Sequence, residues 1–429
     1  MTESKPASDW KWRDAIRWVL YDFANTAFAM VVLALVFPRM FKAFWGAGLD
    51  PAAESVAYKL AQSLPCLLVF FFAPFLGQLA TSPAFRASGL RLAVIVGAFL
   101  TALLGWVPEG GWLSASLLYA GSAAMFYVAA TFYDSMLVDC APAGRRHILS
   151  GAAFSAGFIS GILILVALHM GVFAGRMWMI YPAAAIWWLL FALPLLFRPT
   201  AEATPLPSLR ETWKGTRDTA REIWSNLELR WFLLAFIFYI DGVHAVKTTA
   251  THLGTVLGYG EGDLILAFFV VQAIGVPAAL GFGWLGHRLG AVRMLIVGLI
   301  IYTLIAVYGA RLQPGDVTVL GATFPRVWLL AAAVGLVQGG VQGLSRSHFA
   351  SLVPVGREAA FFGFYGMIGR FASFLGPLLG ALVGWLLANP LDPTSAERWG
   401  FASFSLLFVL GVFGIVLSAE VRGWLEEND

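Results

Sequence analysis

Twelve long apolar runs constrain this chain more than any other feature of its sequence. A helix needs about 20 apolar residues to cross a hydrocarbon core of about 30 Å. An open sheet would leave backbone groups unpaired in lipid, and barrel strands are shorter and alternate in polarity. We therefore predict an all-α polytopic membrane protein. The predicted spans, numbered 1 to 12 along the chain, are 18–41, 60–80, 90–107, 112–138, 148–173, 177–197, 231–253, 263–286, 291–311, 325–345, 358–388 and 400–421.

The orientation of the spans follows from the lysine and arginine residues, which favour the cytoplasmic side. With the N-terminus inside, the inside segments carry 19 of these residues and the outside segments carry 7. We therefore expect a multi-pass protein of the cell membrane, inner or plasma, with both termini in the cytoplasm. The polar segment Met1–Asp14 lacks a signal-peptide pattern, so span 1 is expected to stay in the membrane.

Composition and motifs exclude several classes of function. The net charge of +3 is small and dispersed, so a nucleic-acid partner is not expected. The two cysteines form no metal or redox motif, and no cofactor is predicted. The sequence has no phosphate-binding loop, no zinc-protease motif and no nucleophile elbow, so it does not predict an enzyme. The expected partners are a small-molecule substrate and the lipid bilayer, and the expected state is a monomer.

An internal repeat divides the chain into two halves. The motif Pro142-Ala-Gly-Arg145, followed by Gly151, returns as Pro354-Val-Gly-Arg357, followed by Gly363, at an offset of 212 residues. Repeats of this kind build many transporters, with the site between the halves. We predict six-helix halves at 1–197 and 231–429 and a cytoplasmic linker at 198–230.

The linker carries signals of a helix. Ser208 and Glu211 have the spacing of a capping box. Helical spacing also relates Leu209, Trp213, Thr216, Ala220, Ile223 and Leu227, which predicts a helix at the membrane interface. The alternative is a flexible linker with chance periodicity.

Polar residues follow a period of three spans. Spans 3, 6, 9 and 12 have no charged residue away from their ends, whereas the first span of each group of three is polar. This pattern predicts that spans 1, 4, 7 and 10 line a polar cavity. Their polar residues are Asp22 and Asn25 in span 1, Asp134 in span 4, Asp241, His244 and Lys247 in span 7, and Gln338 and Gln342 in span 10.

The charged residues of span 7 are candidates for substrate binding or ion coupling. Asp241 lies roughly 15 Å into its run, near mid-membrane, and Arg370 lies at a similar depth in span 11. Such residues cost about 2.5–3.5 kcal/mol to insert and need a partner or water. One interpretation is an internal ion pair that joins helices. The other is a substrate or coupling-ion site that faces a wet cavity. For Asp22, a structural hydrogen bond to Asn25 remains an alternative to coupling.

Charged residues near the predicted cytoplasmic ends are candidate gate residues. They are Asp134, Asp139, Arg145, Arg346 and Arg357. We expect Arg145 and Arg357 to pair with Asp139 and Glu358 in one conformation and to separate in another, as interdomain salt bridges do in switching. The alternative is that these residues are ordinary interface charges.

The chain resembles the major facilitator superfamily in its twelve spans, its two halves and its loop signature, which is present in incomplete form at Gly77–Thr81 and Gly283–Arg293. More narrowly, it resembles the vacuole-effluxer-like branch. The matching stretches are 21–28, 238–243, 338–347, 356–365 and 369–377. The resemblance implies the fold of that superfamily and a secondary transporter that works by alternating access, and it suggests amino acids as substrates. Together with the intramembrane charges, it predicts a proton-linked transporter of a small organic solute, an amino acid or another zwitterion or organic anion. Alternatives are a lipid or amphiphile transporter, a channel and an uncoupled facilitator.

Overall fold

Twelve helices are long and apolar enough to cross a membrane within the residues that the computed structural model describes, which are 12–199, 207–319, 321–372, 375–389, 391, 392 and 394–428. The prediction of twelve spans is confirmed, and each predicted span overlaps the helix of the same number. Residues 1–11 of the predicted polar N-terminus lie outside this description. The observed spans are Trp12–Trp45, Pro51–Leu79, Pro83–Trp106, Trp112–Ser135, Ala143–His169, Met177–Leu196, Leu227–Val256, Glu261–Leu289, Ala291–Ala310, Arg326–Leu352, Glu358–Leu387 and Ser395–Glu420.

Local capping sets the start of span 2, which hydropathy alone placed nine residues too late. The Asp50 carboxylate accepts hydrogen bonds from the backbone N–H groups of Ala52 at 3.0 Å and Ala53 at 3.1 Å. Pro51 occupies the first helical position, where its missing N–H costs nothing. The polar residues between the cap and the apolar run hid this start from the hydropathy pattern.

Spans 1 and 11 depart from regular α-helix. Span 1 contains two π-helical segments, Ala29–Leu35 and Phe41–Trp45. Span 11 consists of two helical segments, Glu358–Phe371 and Leu375–Leu387, and Ala372 lies in a turn after the first. Pro377 lacks a backbone N–H, so a continuous helix would lose a hydrogen bond here. The predicted span 358–388 covers both segments.

The linker contains a helix, Leu209–Ser225, and its capping box is present. Glu211 Oε2 accepts from the Ser208 backbone N–H at 2.7 Å, and Ser208 Oγ accepts from the Glu211 N–H at 3.3 Å. The hydrogen bonds from Ser208 lower the pKa of the Glu211 carboxyl. The buried residues of this linker helix are Thr212, Thr219 and Ile223, whereas Leu209 and Trp213 of the predicted row are exposed. The position of this helix at the membrane interface stays a prediction.

Two short strands between spans 9 and 10 were not predicted from the sequence. Asp316–Val319 pairs antiparallel with Ala322–Pro325, and the hydroxyl groups of Thr318 and Thr323 lie 3.1 Å apart across the pair. Gly321, beside the turn, has a φ of 84°, which favours glycine. The hairpin is too short to give a clear alternating pattern in the sequence.

The chain forms two compact units by its internal contacts. The first comprises Met1–Leu149, Ala156–Ala220 and Val353–Arg370, and the second comprises Ser150–Ser155, Arg221–Leu352 and Phe371–Asp429. The predicted division into halves at 1–197 and 231–429 rests on the sequence repeat and stays a prediction.

A close backbone crossing between two spans occurs at the repeated glycine in each unit. In the first unit, a Cβ added at Gly363 of span 11 would lie 2.6 Å from the Ala73 carbonyl oxygen and 3.1 Å from Gly77 Cα of span 2. In the second unit, a Cβ at Gly151 of span 5 would lie 2.5 Å from the Ala279 carbonyl oxygen and 3.1 Å from Gly283 Cα of span 8. Gly151 and Gly363 are the glycines of the 212-residue repeat, so the repeated motif makes the same kind of contact twice.

Candidate substrate-binding site

Asp241 of span 7 is completely buried, and its carboxylate faces the start of the second segment of span 11. The backbone N–H groups of Leu375 and Gly376 approach the carboxylate. Neither approach has full hydrogen-bond geometry, so both oxygens lack a hydrogen bond to any described residue. The close fit requires glycine at 376, because a Cβ there would lie 2.7 Å from Ala245 Cβ and 3.3 Å from Asp241 Oδ1. A buried carboxylate without hydrogen bonds is costly unless it binds a proton or a partner.

The three charged residues of span 7 differ in exposure. Asp241 is fully buried, His244 is half-buried and Lys247 is exposed. The wet cavity expected beside Asp241 stays a prediction, and in this structure the residue has no exposed surface. The reason is close packing, since a Cβ at Gly242 would lie only 2.8 Å from the Phe408 ring of span 12.

Span 10 presents its two glutamines together. From Val337 to Ala350, every residue is buried except Gln338 and Gln342, which are half-buried. They are four residues apart and therefore share a face, and Gln342 Nε2 donates to the Gln338 carbonyl oxygen at 3.3 Å. The face agrees with the sequence expectation that these two residues form the polar side of span 10.

Arg346 is anchored inside the second unit. It is 5% exposed, its Nε donates to Ser150 Oγ of span 5 at 3.1 Å, and its guanidinium lies 4.8 Å from the centre of the Phe154 ring. The Ser150 hydroxyl donates in turn to the Gly343 carbonyl oxygen at 2.8 Å. These contacts join spans 5 and 10 at the place where the sequence predicted a gate residue.

Arg370 is positioned by the packing of span 11 in the first unit. Gly363, Gly366 and Arg370 share one helix face by their spacing. Gly363 contacts span 2, and a Cβ at Gly366 would lie 2.9 Å from Thr131 Oγ1 of span 4. The same face brings the Arg370 guanidinium to 3.8 Å from the centre of the Tyr127 ring. Among the described residues, Arg370 interacts with Tyr127 and Cys66 and with no carboxylate.

The acidic residues of spans 1 and 4 lie around one tyrosine. Asp22 and Asp134 are both half-buried, and both act electrostatically on Tyr21. Asn25 Nδ2 donates to Asp22 Oδ1 at 3.4 Å, and the Thr26 hydroxyl donates to the Asp22 carbonyl oxygen at 2.8 Å. The structural hydrogen bond that was one alternative for Asp22 is thus present.

The residues of the expected latch have other partners in this structure, and their pairing in a second conformation stays a prediction. Asp139 forms a salt bridge of 2.5 Å with Arg86 of span 3, which was not among the predicted gate residues. Arg357 Nη2 donates to the buried Thr219 Oγ1 of the linker helix at 2.7 Å. Burial raises the pKa of the Asp139 carboxyl, although Arg86 and Arg198 act in the opposite direction.

The remaining members of the expected latch are Arg145 and Glu358. Arg145 is exposed in the short 3-10 turn Ala143–Arg145. Glu358 acts electrostatically on Arg146, which follows Arg145 in the chain. The loop signature that begins at Gly77 is the sequence signal nearest to Arg86.

Comparisons with known proteins agree with this architecture. Residues 138–428 match the family model described as vacuole effluxer Atg22 like. The MFS-type transporter YxiO of Bacillus subtilis (strain 168), which is uncharacterised, is 34% identical over 412 residues, 92% of each chain. Autophagy-related protein 22 of Cryptococcus neoformans var. neoformans serotype D (strain B-3501A) is 27% identical over 62% of this chain and about half (51%) of its own length.

A solved structure extends the likeness to the fold. The proton:xylose symporter XylE of the major facilitator superfamily, bound to 6-bromo-6-deoxy-D-glucose, superposes with a TM-score of 0.67 at 13% identity, over 94% of this chain and 93% of XylE. With twelve spans, the family match and the bacterial relative, the resemblance seen in the sequence is confirmed. The chain belongs to the vacuole effluxer Atg22-like family and is a multi-pass membrane transporter of the major facilitator superfamily, not an enzyme.

Proposed function

We propose that this transporter moves a small organic solute with a carboxylate group, an amino acid or another zwitterion or organic anion, by proton-linked alternating access. The observation that carries this proposal is the Arg370 guanidinium. It lies within a membrane span, stays charged and has no carboxylate partner among the described residues. An anionic substrate group supplies the missing partner.

Asp241 is the proposed proton carrier. Its carboxylate is fully buried and lacks a hydrogen bond to the described part of the chain, so a proton lowers the cost of its burial. When ionised, it attracts the positive end of the segment Leu375–Leu387, and such contacts are worth about 0.3–2 kcal/mol. Protonation weakens that attraction and frees this segment to move.

Span 11 provides a physical link between the two events. Arg370 is the last residue but one of the first segment of the span, and the amides that approach Asp241 begin the second segment, five residues after Arg370. A change in the protonation of Asp241 thus acts on the same broken helix that carries the substrate-binding cation. Broken helices form the binding and coupling sites of many secondary transporters.

The other predicted residues receive supporting roles in this proposal. His244, Lys247, Gln338 and Gln342 would contribute polar contacts from spans 7 and 10. Asp22 and Asn25 would do so from span 1. Asp134, Asp139, Arg145, Arg346 and Arg357 would control access. The transporter would act as a monomer in the cell membrane, with both termini and the linker helix in the cytoplasm, and a cysteine probe in the linker should resist external labelling while one at Gly110 reacts.

The test is solute binding to purified protein as a function of pH. Arg370→Ala should weaken the binding of anionic solutes by about 30- to 100-fold, the equivalent of about 2–3 kcal/mol for lost charge-assisted hydrogen bonds. Asp241→Asn should keep binding but flatten its pH dependence, whereas Asp22→Asn should leave that dependence in place. Normal binding by Arg370→Ala, together with unchanged pH dependence in Asp241→Asn, would reduce both residues to structural contacts.

A further inference from the structure

Span 2 carries a polar row that none of the roles above uses. Tyr58, Gln62 and Cys66 recur every four residues and are half-exposed. One neighbouring side of the helix is buried, at Ala57, Ala61 and Pro65, and another is exposed and apolar, at Leu60, Leu64, Leu67 and Leu68. The row is therefore a third face, which is neither packed core nor an apolar exposed surface.

This polar row faces two tyrosines of span 4 and Arg370 of span 11, all within the first unit. Gln62 Nε2 donates to the Tyr58 hydroxyl at 2.8 Å, and the Gln62 side chain also lies within hydrogen-bonding reach of Tyr119. Cys66 lies beside the Tyr127 hydroxyl and interacts electrostatically with the Arg370 guanidinium. The members of the cluster thus form one connected row from Tyr58 to Arg370.

The Tyr127 ring determines which side of the Arg370 guanidinium is available. At 3.8 Å from the ring centre, the guanidinium has one face covered by the ring. Its N–H groups point outward in the plane, where they can donate two parallel hydrogen bonds to a planar carboxylate. No described acidic side chain interacts with Arg370, so the cluster carries one positive charge. A ligand with one negative charge neutralises the cluster, and a second negative charge is left unbalanced.

We propose that Arg370, Tyr127, Cys66, Gln62 and Tyr58 form a carboxylate-binding subsite for an organic monoanion or the carboxylate end of a zwitterion. Arg370 holds the carboxylate against the Tyr127 ring, and Cys66 lies at the edge of the bound group. Gln62 and Tyr58 hydrogen-bond the remainder of the solute along span 2. The subsite deepens the proposed function and rests on it for the identity of the solute as cargo, but its preference for anions is measurable without transport.

Cys66 gives a direct test, because the other thiol is easily removed. Cys140 is 2% exposed, and burial raises its pKa to about 12, so it reacts poorly. In Cys140→Ser protein reconstituted in liposomes, the rate of Cys66 modification is measured with anionic ethylsulfonate methanethiosulfonate and with its cationic trimethylammonium analogue. Each rate is divided by the rate with a free thiol such as 2-mercaptoethanol.

The subsite predicts that the normalised rate for the anionic reagent exceeds that for the cationic reagent by about tenfold or more, because Arg370 attracts the sulfonate at close range. Arg370→Gln should abolish this preference, and Arg370→Lys, which keeps the charge, should retain most of it. Small carboxylates should slow the modification, and their amides should not. Size-exclusion profiles of the variants check that each is folded.

Equal normalised rates for the two reagents, or a preference that survives Arg370→Gln, would overturn the subsite. Failure of Cys66 to react with either reagent would overturn it as well, since a binding site must be reachable from water. An anion preference with carboxylate protection in a protein that transports no carboxylate would keep the subsite and reject the proposed function. Transport of carboxylates without any anion preference at Cys66 would reject the subsite and keep the proposed function.

Discussion

The substitution Gly363→Ala tests whether the close crossing of spans 2 and 11 fixes the first unit. The added Cβ would lie 2.6 Å from the Ala73 carbonyl oxygen, about 0.8 Å short of the 3.4 Å at which ordinary van der Waals contact begins. A Cβ there would also be 3.0 Å from Pro74 Cα, so the clash is with backbone that no side-chain rotation relieves. Overpacking of this kind costs about 1–3 kcal/mol.

A matched control removes the contribution of helix propensity. Alanine is favoured over glycine in a helix by about 0.8–1.0 kcal/mol at either position. Gly281 also lies in a helix, and a Cβ there would have no atom within 4 Å. Gly281→Ala should therefore stabilise the protein slightly, and the difference between the two variants should equal the overpacking cost of about 1–3 kcal/mol.

Reversible unfolding in detergent micelles, followed by tryptophan fluorescence, gives the two free energies of unfolding. The repeat adds a second arm, because Gly151→Ala places its Cβ 2.5 Å from the Ala279 carbonyl oxygen and should resemble Gly363→Ala. If Gly363→Ala and Gly281→Ala change the free energy equally, the crossing is not a rigid backbone contact.

Three further predictions concern the residues outside the spans. Thr219→Val should remove the acceptor for Arg357 and weaken docking of the linker helix by about 1.5 kcal/mol, measured as faster hydrogen exchange in 209–225, whereas Thr219→Ser should not. Ser208→Ala should remove the capping box and destabilise the same helix by about 0.5–2 kcal/mol, seen as faster exchange confined to its first turn. Because the pKa of Asp139 is raised, the folded state binds the carboxyl proton more tightly than the unfolded state does. The free energy of unfolding should therefore fall as the pH rises from the ordinary pKa of the carboxyl, near 3.8, through its pKa in the folded state. Asp139→Asn should flatten that part of the stability curve in a pH series of unfolding measurements, and an unchanged curve would contradict the raised pKa of this carboxyl.

Much of the architecture was predictable because it depends on local or periodic signals. The spans follow from runs of apolar residues, which lipid selects directly. The capping box at Ser208 and Glu211 is a contact between neighbours in sequence, and the spacing of Gln338 and Gln342 defines their shared face without tertiary information. The equivalence of Gly151 and Gly363 was visible in the repeat, although the partner helix of each glycine was not.

The candidate site was less predictable because its contacts are made between distant spans. Depth placed Asp241 near mid-membrane, but only the packing of Gly242 and Gly376 shows that its carboxylate is enclosed. Depth also selected Arg370, yet nothing in the sequence joined it to Tyr127. The sequence pattern that reveals the polar face of span 2 is three residues long and is hidden in an otherwise apolar run.

Span ends and ion pairs were the weakest part of the prediction, because local caps set the ends and contacts between distant parts of the chain set the pairs. Asp50 starts span 2 before the apolar run begins. Asp139 pairs with Arg86 across 53 residues of chain, rather than with the arginines of the repeated motif. A charge count identifies which charged residues collect near span ends, but it contains no distances and cannot choose among several arginines.

Solute counterflow and pH-driven accumulation in proteoliposomes test the central claim most directly. The measurement compares the unchanged protein with Asp241→Asn and Arg370→Ala, using a panel of amino acids and their amides. Proton-linked carboxylate transport predicts saturable counterflow of solutes with a free carboxylate and their accumulation when a pH gradient is imposed. Asp241→Asn should keep counterflow and lose the accumulation, and Arg370→Ala should lose both. Accumulation by Asp241→Asn at the rate of the unchanged protein, or normal counterflow by Arg370→Ala, would contradict it.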